Sequence, residues 1–347
     1  MKQFLRPKGK GQAGVTLIEL MIAMVLGLLL ILGLSNVYLA QRQSYRVNEN
    51  LARMQDNARI AFELMARELR EAGGNPCGTN RVANVLLGAS GSHWLDWSRG
   101  GVQGYEGNTV MPGVVTGNGA GQRVAGTDAV TIRTASLNTG LIITDHDVTS
   151  SAQFKVNTQA HGFEDNDILM ACDYRQAAIF QVTSASSSNV TIVHNTGSVS
   201  AGPGNCSKGL GFPTDCSSPN GNGYSFENNG FLSRLTVTNW YIGNNARGGW
   251  SLFRIENGGA PQEVAEGVMD LQLEYLTRIG TSPASSYANA SLIGSWANDA
   301  VSPVIAVRVR MALESLEAVG TDAANPNTVL RRQLIHVVSL RHREALQ

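Results

Sequence analysis

Residues Leu20 to Leu34 contain no charge and no proline, and the stretch leading into them is the strongest constraint on the chain. Gly14-Val15-Thr16-Leu17-Ile18-Glu19-Leu20 places a single carboxylate, Glu19, just inside the apolar run. Ahead of it stand Lys2, Arg6, Lys8 and Lys10 with no acidic residue. A helix of about 20 apolar residues spans a bilayer. A charged side chain at that depth costs ~2.5–3.5 kcal/mol even on insertion scales, so an intramembrane carboxylate reads as functional and needs a partner. The simplest partner is an amine, and a cut after Gly14 turns Val15 into one. An ordinary secretory signal is cut behind its apolar core. Here the glycine precedes the run, so the run stays in the mature chain. The basic leader marks the cytoplasmic side, which puts the rest of the chain in the periplasm.

That compartment decides how the four cysteines are read. Cys77, Cys172, Cys206 and Cys216 all follow the apolar run, where disulfides form and persist. Four cysteines allow three connectivities. Cys206 and Cys216 flank a Gly/Pro/Ser-rich loop and are the favoured pair, which leaves Cys77 for Cys172. Zinc is disfavoured because there is no C-x-x-C and the histidines are scattered. Lys+Arg and Asp+Glu are equal at 27 each, so no global field attracts nucleic acid. The 347 residues allow one large domain or two small ones, and 38 glycines fit a β-rich, loop-rich exported head.

A second helical pattern continues the apolar run. Leu51, Met54, Ala58, Ala61, Met65 and Leu69 recur at spacings of three and four, forming one stripe among charged residues. Gly73-Gly74-Asn75-Pro76 should end the helix, since glycine permits a left-handed cap and proline cannot continue the ladder. Beyond it the pattern turns to β. Asp128–Arg133, Ala178–Val182 and Asn189–Val193 alternate, and Leu271, Leu273 and Tyr275 share a face opposite Gln272 and Glu274. Ile305, Val307, Val309, Met311 and Leu313 fall on one face with Arg308 and Arg310 on the other, so Glu274 and Arg308 are candidates for a cross-strand pair. Thr328–Arg343 is a last strand candidate, and glycine-rich loops are expected over 113–126, 197–230 and 243–249.

Enzyme signatures are absent: there is no G-x-S-x-G, Walker loop or H-E-x-x-H. Asp145-His146-Asp147 is the most ligand-like cluster; in a strand the two aspartates would share one face and the histidine the other, but a polar turn is expected. Glu164-Asp165-Asn166-Asp167 reads as a turn entering a strand, an incomplete pattern for calcium. Trp94 and Trp97 flank a loop, with a core role as expected as a partner role. No catalytic residue, metal or cofactor is assigned.

The N-terminal stretch resembles that of type IV prepilins and type II secretion pseudopilins: Gly14, then Val15-Thr16-Leu17-Ile18-Glu19-Leu20, then a long apolar helix. The resemblance implies that a membrane prepilin peptidase cuts between Gly14 and Val15 and N-methylates Val15, and that Glu19 serves subunit assembly. The residue after the cut is often Phe or Met in that family, and here it is Val15. Further on, Trp250–Arg254, Val264–Tyr275 and Pro303–Arg310 resemble the PilW family of minor pilins. The implied fold is α+β and pilin-like. Residues 1–14 are a leader, 15–38 a transmembrane and assembly helix, 39–72 its amphipathic half, and 73–347 a β-rich periplasmic head. The implied function is that of a minor pilin which primes type IV pilus assembly near the tip and helps present a tip adhesin. Its partners are then the prepilin peptidase, other minor pilins, the major pilin and the inner membrane, with no nucleic acid. It starts as a single-pass inner-membrane protein and ends in the pilus. Two alternatives stand beside this: a J-type minor pseudopilin of type II secretion, and a membrane-anchored enzyme or sugar-binding module with a pilin-like leader.

Overall fold

The computed structural model describes residues 14–73, 77, 79, 81–87, 97, 100–148, 150–197, 202–226, 228–280, 282–297, 301–319 and 328–341, with backbone only for 136–140. Among the described residues the one α-helix, α1, runs over Leu17–Glu71. It stops where the sequence pattern places the stop. Gly73 takes φ +71°, and its N–H donates to the Arg133 carbonyl at 2.9 Å. A Cβ on Gly101 would lie 2.0 Å from the Gly73 nitrogen, so two backbones meet here at a distance only glycine allows. Gly74, Asn75 and Pro76 lie outside the described residues.

The chain divides into two compact units at Ala52/Arg53 of α1. The first holds the helix up to Ala52 and the described part of residues 317–330. In it Gln43 Nε2 donates to the Val319 carbonyl at 2.9 Å, and Arg46 donates to the Ala318 carbonyl at 3.3 Å. Val319 N–H closes the segment on the Thr328 carbonyl at 2.9 Å.

The second unit contains the rest of α1 and two sheets. The larger sheet has eleven strands: β1 (Val82–Asn84), β2 (Val102–Tyr105), β3 (Ala129–Asp147), β4 (Gln153–Val156), β5 (Ile168–Cys172), β6 (Ala177–Gln181), β7 (Ser184–Ala185), β8 (Thr191–Val193), β9 (Phe231–Asn244), β10 (Trp250–Glu256) and β11 (Gln262–Glu266). Its main path is β1-β6-β5-β9-β3-β4-β8-β7, with β10 and β11 continuing from β9 and β2 on β3. All described pairings are antiparallel except β1 with β6. The smaller sheet orders β13 (Ser282–Pro283), β12 (Val268–Ile279), β15 (Val304–Glu314) and β16 (Arg331–Ser339), with β14 (Ala288–Asn289) on β12.

The alternation read from the sequence is what builds the smaller sheet. Val307, Val309, Met311 and Leu313 are buried, while Arg308 and Arg310 reach the solvent side. Leu271, Leu273 and Tyr275 lie against them in register, Leu273 opposite Val309. The helical stripe from Met54 on is buried in the same unit: Met54, Ala58, Ala61, Met65 and Leu69 are inside. Asp128 links the two sheets at the foot of β3. Its backbone N–H donates to the Leu271 carbonyl, and its carboxylate accepts from Leu273 N–H and Gly107 N–H, each at 2.8 Å. Nearby, the buried Arg123 guanidinium donates to the carbonyls of Thr109, Gly107 and Thr127 at 2.8, 2.7 and 2.5 Å, so a full charge pins the 106–127 loop through backbone acceptors. Burial lowers its pKa, and burial raises that of Asp128.

Candidate assembly site

At the head of α1, Thr16 and Glu19 satisfy each other. Thr16 N–H donates to Glu19 Oε2 at 3.0 Å, and Glu19 N–H donates to Thr16 Oγ1 at 3.3 Å. The Thr16 hydroxyl in turn donates to the same carboxylate at 3.0 Å. This is a reciprocal capping box, which answers two of the backbone donors that a helix start leaves unpaired. Its sequence signature, Thr-x-x-Glu before an apolar run, is present at residues 16–19 and was missed when Glu19 was read only as an intramembrane charge. Both bonds to the carboxylate fall on Oε2, so the exposed side chain is capped through one oxygen, at the point where the chain emerges from Gly14 and Val15. Both of those residues are exposed.

From Leu17 to Leu39 every large apolar side chain is at least half exposed within the chain. By length and composition this part of α1 can cross a membrane. A Cβ built on Gly27 or Gly33 meets nothing within 4 Å, so neither glycine serves packing inside the chain. Bare glycines on an apolar helix are where another helix can approach closely.

The other half of α1 is anchored by a cluster the sequence did not reveal. Glu68 is buried and accepts from the Trp240 indole N–H at 2.7 Å and from Arg254 Nε at 3.0 Å. Arg254 also pairs with Glu256 at 2.7 Å. Trp240 on β9 and Arg254 on β10 are register partners, so one carboxylate on the helix engages two adjacent strands. On the smaller sheet Glu274 receives both Arg308 donors at 2.7 Å, and Arg310 joins it at 2.9 Å. The Arg308 hydrogen bond lowers the Glu274 pKa.

Cys77 is joined to Cys172 and Cys206 to Cys216. The first bond fixes the segment just after α1 to the end of β5. The second closes a ten-residue separation in the loop between β8 and β9.

Asp145-His146-Asp147 is a correction: it is not a polar turn but the end of β3. Strand alternation exposes Asp145 and turns His146 inward. His146 stacks on Phe154 at 3.8 Å, and its Nε2 lies 3.0 Å from His194 Nε2. Phe226 N–H donates to His146 Nδ1 at 3.1 Å, which leaves Nε2–H to donate to His194. Burial drives the His146 pKa down to about 4, against smaller upward pulls from Asp147 and Asp145. Burial lowers that of His194 as well, helped by His146. Glu164–Asp167 does form a turn into β5, with Asn166 at φ +75° and Asp167 2.6 Å from Arg234. Among the described residues no three His, Cys, Asp or Glu side chains are grouped to hold a metal ion. Trp97 packs half-buried against the core cluster that includes Cys172 and Ile179, and Trp94 lies outside the described residues.

Two family models match the chain. Residues 9–35 match the prokaryotic N-terminal methylation motif, a span that contains Gly14, Val15 and Glu19. With the apolar first half of α1 and a β-rich head, this match supports a pilin-like layout, with inner-membrane anchoring, a periplasmic head and incorporation into the pilus. Residues 239–344 match type IV pilus-assembly protein W, a span that starts within β9 and extends past β16. The two matches together support a PilW-type minor pilin with a role in type IV pilus assembly. No curated protein and no solved structure matches the chain.

Proposed function

We propose that this chain is a non-catalytic subunit that primes type IV pilus growth near the tip and helps present an adhesin there. The observation that carries the reading is the pairing of an unpacked apolar helix with a capped Glu19. Apolar surface of that extent needs lipid or other helices around it. In the membrane, lipid covers it. In a fibre, the helices of neighbouring pilins do.

Cleavage between Gly14 and Val15 by the prepilin peptidase leaves a new amine one residue before Thr16. Methylation of that amine preserves its charge. As the subunit leaves the lipid, the Glu19 carboxylate exchanges part of its internal cap for the Val15 amine of an adjacent pilin. Apolar packing alone specifies the axial register of helices weakly, and a single charged pair specifies it well. The bulk of residues 73–347 favours a terminal position, since large heads repeated along a shaft would clash. The PilW match favours a pilus over a secretion pseudopilus.

N-terminal sequencing of membrane material should begin at Val15. Deleting the gene should reduce surface pili while the major pilin remains in the membrane. A start at Met1 in cells with active prepilin peptidase, or normal piliation and adhesion in the deletion strain, would refute the proposal.

A further inference from the structure

We infer that the head carries a binding site for a carboxylate-bearing saccharide, in the cleft between the β5–β6 turn and the disulfide-closed loop. The cleft has a volume of about 810 Å³, and Arg81, Tyr174, Arg175, Gln176, Phe212, Asn222 and Tyr224 are among its lining residues. That volume is in the range of sites that take small molecules and short oligomers.

Both walls are fixed before any ligand arrives. On one side, Asp173 closes the hairpin turn: its Oδ1 accepts the N–H groups of Arg175 and Gln176 at 2.8 and 3.0 Å. That aspartate follows Cys172 directly, so the turn is also tied by the Cys77–Cys172 bond. The opposite wall is the loop held by Cys206–Cys216. Gln176 joins the two, donating to the Leu210 carbonyl at 2.7 Å and accepting from Phe212 N–H at 3.0 Å. Tyr224 OH adds a bond to Asp173 Oδ2 at 2.6 Å. Buried amide and carboxylate groups thus position the cleft, while its aromatic and cationic groups stay at the surface. A preorganised site loses little on binding.

The exposed groups define the ligand. Tyr174 is 74% exposed at the tip of a tight turn, and Phe212 is 41% exposed. Large aromatic rings held outward by a rigid loop offer flat apolar faces, which suit the C–H faces of pyranose rings. A guanidinium accompanies each ring: Arg175 lies 5.0 Å from the Tyr174 centroid, and Arg81 lies 5.7 Å from that of Phe212. Arginine's planar fork matches a carboxylate in bidentate fashion. No carboxylate lines the cleft among the described residues, since Asp173 is turned into the wall. A uronic acid unit meets both demands at once, with a ring for the aromatic face and an anion for the arginine. A nucleic acid would need several cations following its phosphates, and two arginines on a chain of zero net charge do not supply them. The inference rests on the head alone and is independent of the assembly role.

The test is calorimetric titration of the full chain in detergent with oligogalacturonate, with neutral maltooligosaccharide and oligothymidylate as comparisons. Oligogalacturonate should bind, and Arg81→Gln, Arg175→Gln and Tyr174→Ala should each weaken it roughly tenfold or more, as expected for loss of one charge-assisted or stacking contact. Thermal unfolding identical to the parent shows that the variants fold, and Tyr174→Ala removes only an exposed ring should an arginine variant fail to fold. Absence of oligogalacturonate binding, or binding that these substitutions leave unchanged, overturns the inference. So does equal affinity for maltooligosaccharide, which would make the charge irrelevant. Tighter, steeply salt-dependent binding of oligothymidylate would identify a nucleic-acid site instead.

Discussion

Replacing Glu68 by alanine tests how the helix is held in the head. In the folded chain its two carboxylate oxygens serve Trp240 Nε1 at 2.7 Å and Arg254 Nε at 3.0 Å. The side chains of Glu68 and Arg254 are 11% and 23% exposed, so the pair is poorly screened. Glu68→Ala strands the indole N–H in a fully buried position, and a lost hydrogen bond to a charged group costs ~1.5–3 kcal/mol. Breaking a buried ion pair outright costs ~3–5 kcal/mol. Arg254 keeps Glu256 at 2.7 Å, which holds the ionic part below that range. The expected total is therefore about 2–4 kcal/mol. Glu68→Gln keeps an acceptor for the indole and loses only the charge, so about 1–2 kcal/mol is expected. The assay is urea unfolding of the full chain in detergent followed by tryptophan fluorescence, with stability taken by linear extrapolation. A Glu68→Ala protein within about 0.5 kcal/mol of the parent, the level of an ordinary surface change, would refute the reasoning.

Three further outcomes are expected. Removing the Cys77–Cys172 bond by paired serine substitutions should destabilise more than removing Cys206–Cys216: sequence separations of 95 and 10 correspond to about 4.7 and about 3 kcal/mol of chain entropy, and equal losses in urea unfolding would contradict this. Acid should weaken the head through the buried histidines. His146 is lowered from 6.5 to about 4, so the unfolded chain binds the extra proton first, and stability that is complete above pH 6.5 falls as pH drops towards 4. That loss, on the order of 3 kcal/mol for His146, should shrink in a His146→Gln/His194→Gln protein measured between pH 7.5 and 4.5, and an unchanged pH profile would remove the histidines as its cause. Glu19→Ala should still insert and still be cleaved, yet fail to recover partner minor pilins on co-purification. Full complementation with unchanged partner recovery would make Glu19 dispensable.

What could be read from the sequence was whatever one side chain's periodicity announces. Val307 to Leu313 alternate because β15 has one wet face, and Met54 to Leu69 repeat because that part of α1 has one dry face. β9 was not legible for the opposite reason. From Asn239 to Gly243 it is buried on both faces, so its polar and apolar residues follow no period, although it pairs with β3, β5 and β10. Charge misled at Asp145-His146-Asp147, where an exposed and a half-buried aspartate disguised a strand that bulges between Ile143 and Asp145. The capping box is legible in Thr16-x-x-Glu19, because it needs only local residues. Glu68 was not: its partners lie 172 and 186 positions away, and nothing local distinguishes it from Glu63 or Glu71 on the same helix.

In the fibre position proposed above the subunit is pulled, and the Cys77–Cys172 bond then determines how it yields. Tension applied through α1 enters the head just before residue 77. Were the sheets to peel apart there, an uncrosslinked chain would pay out the whole stretch up to residue 172. That separation of 95 residues is about 320 Å of slack at ~3.4 Å per residue. The covalent short cut withholds all of it and passes the force directly to β5, next to β9 in the large sheet. The head then responds to traction as a stiff coupling rather than a spring, until a covalent bond is reduced.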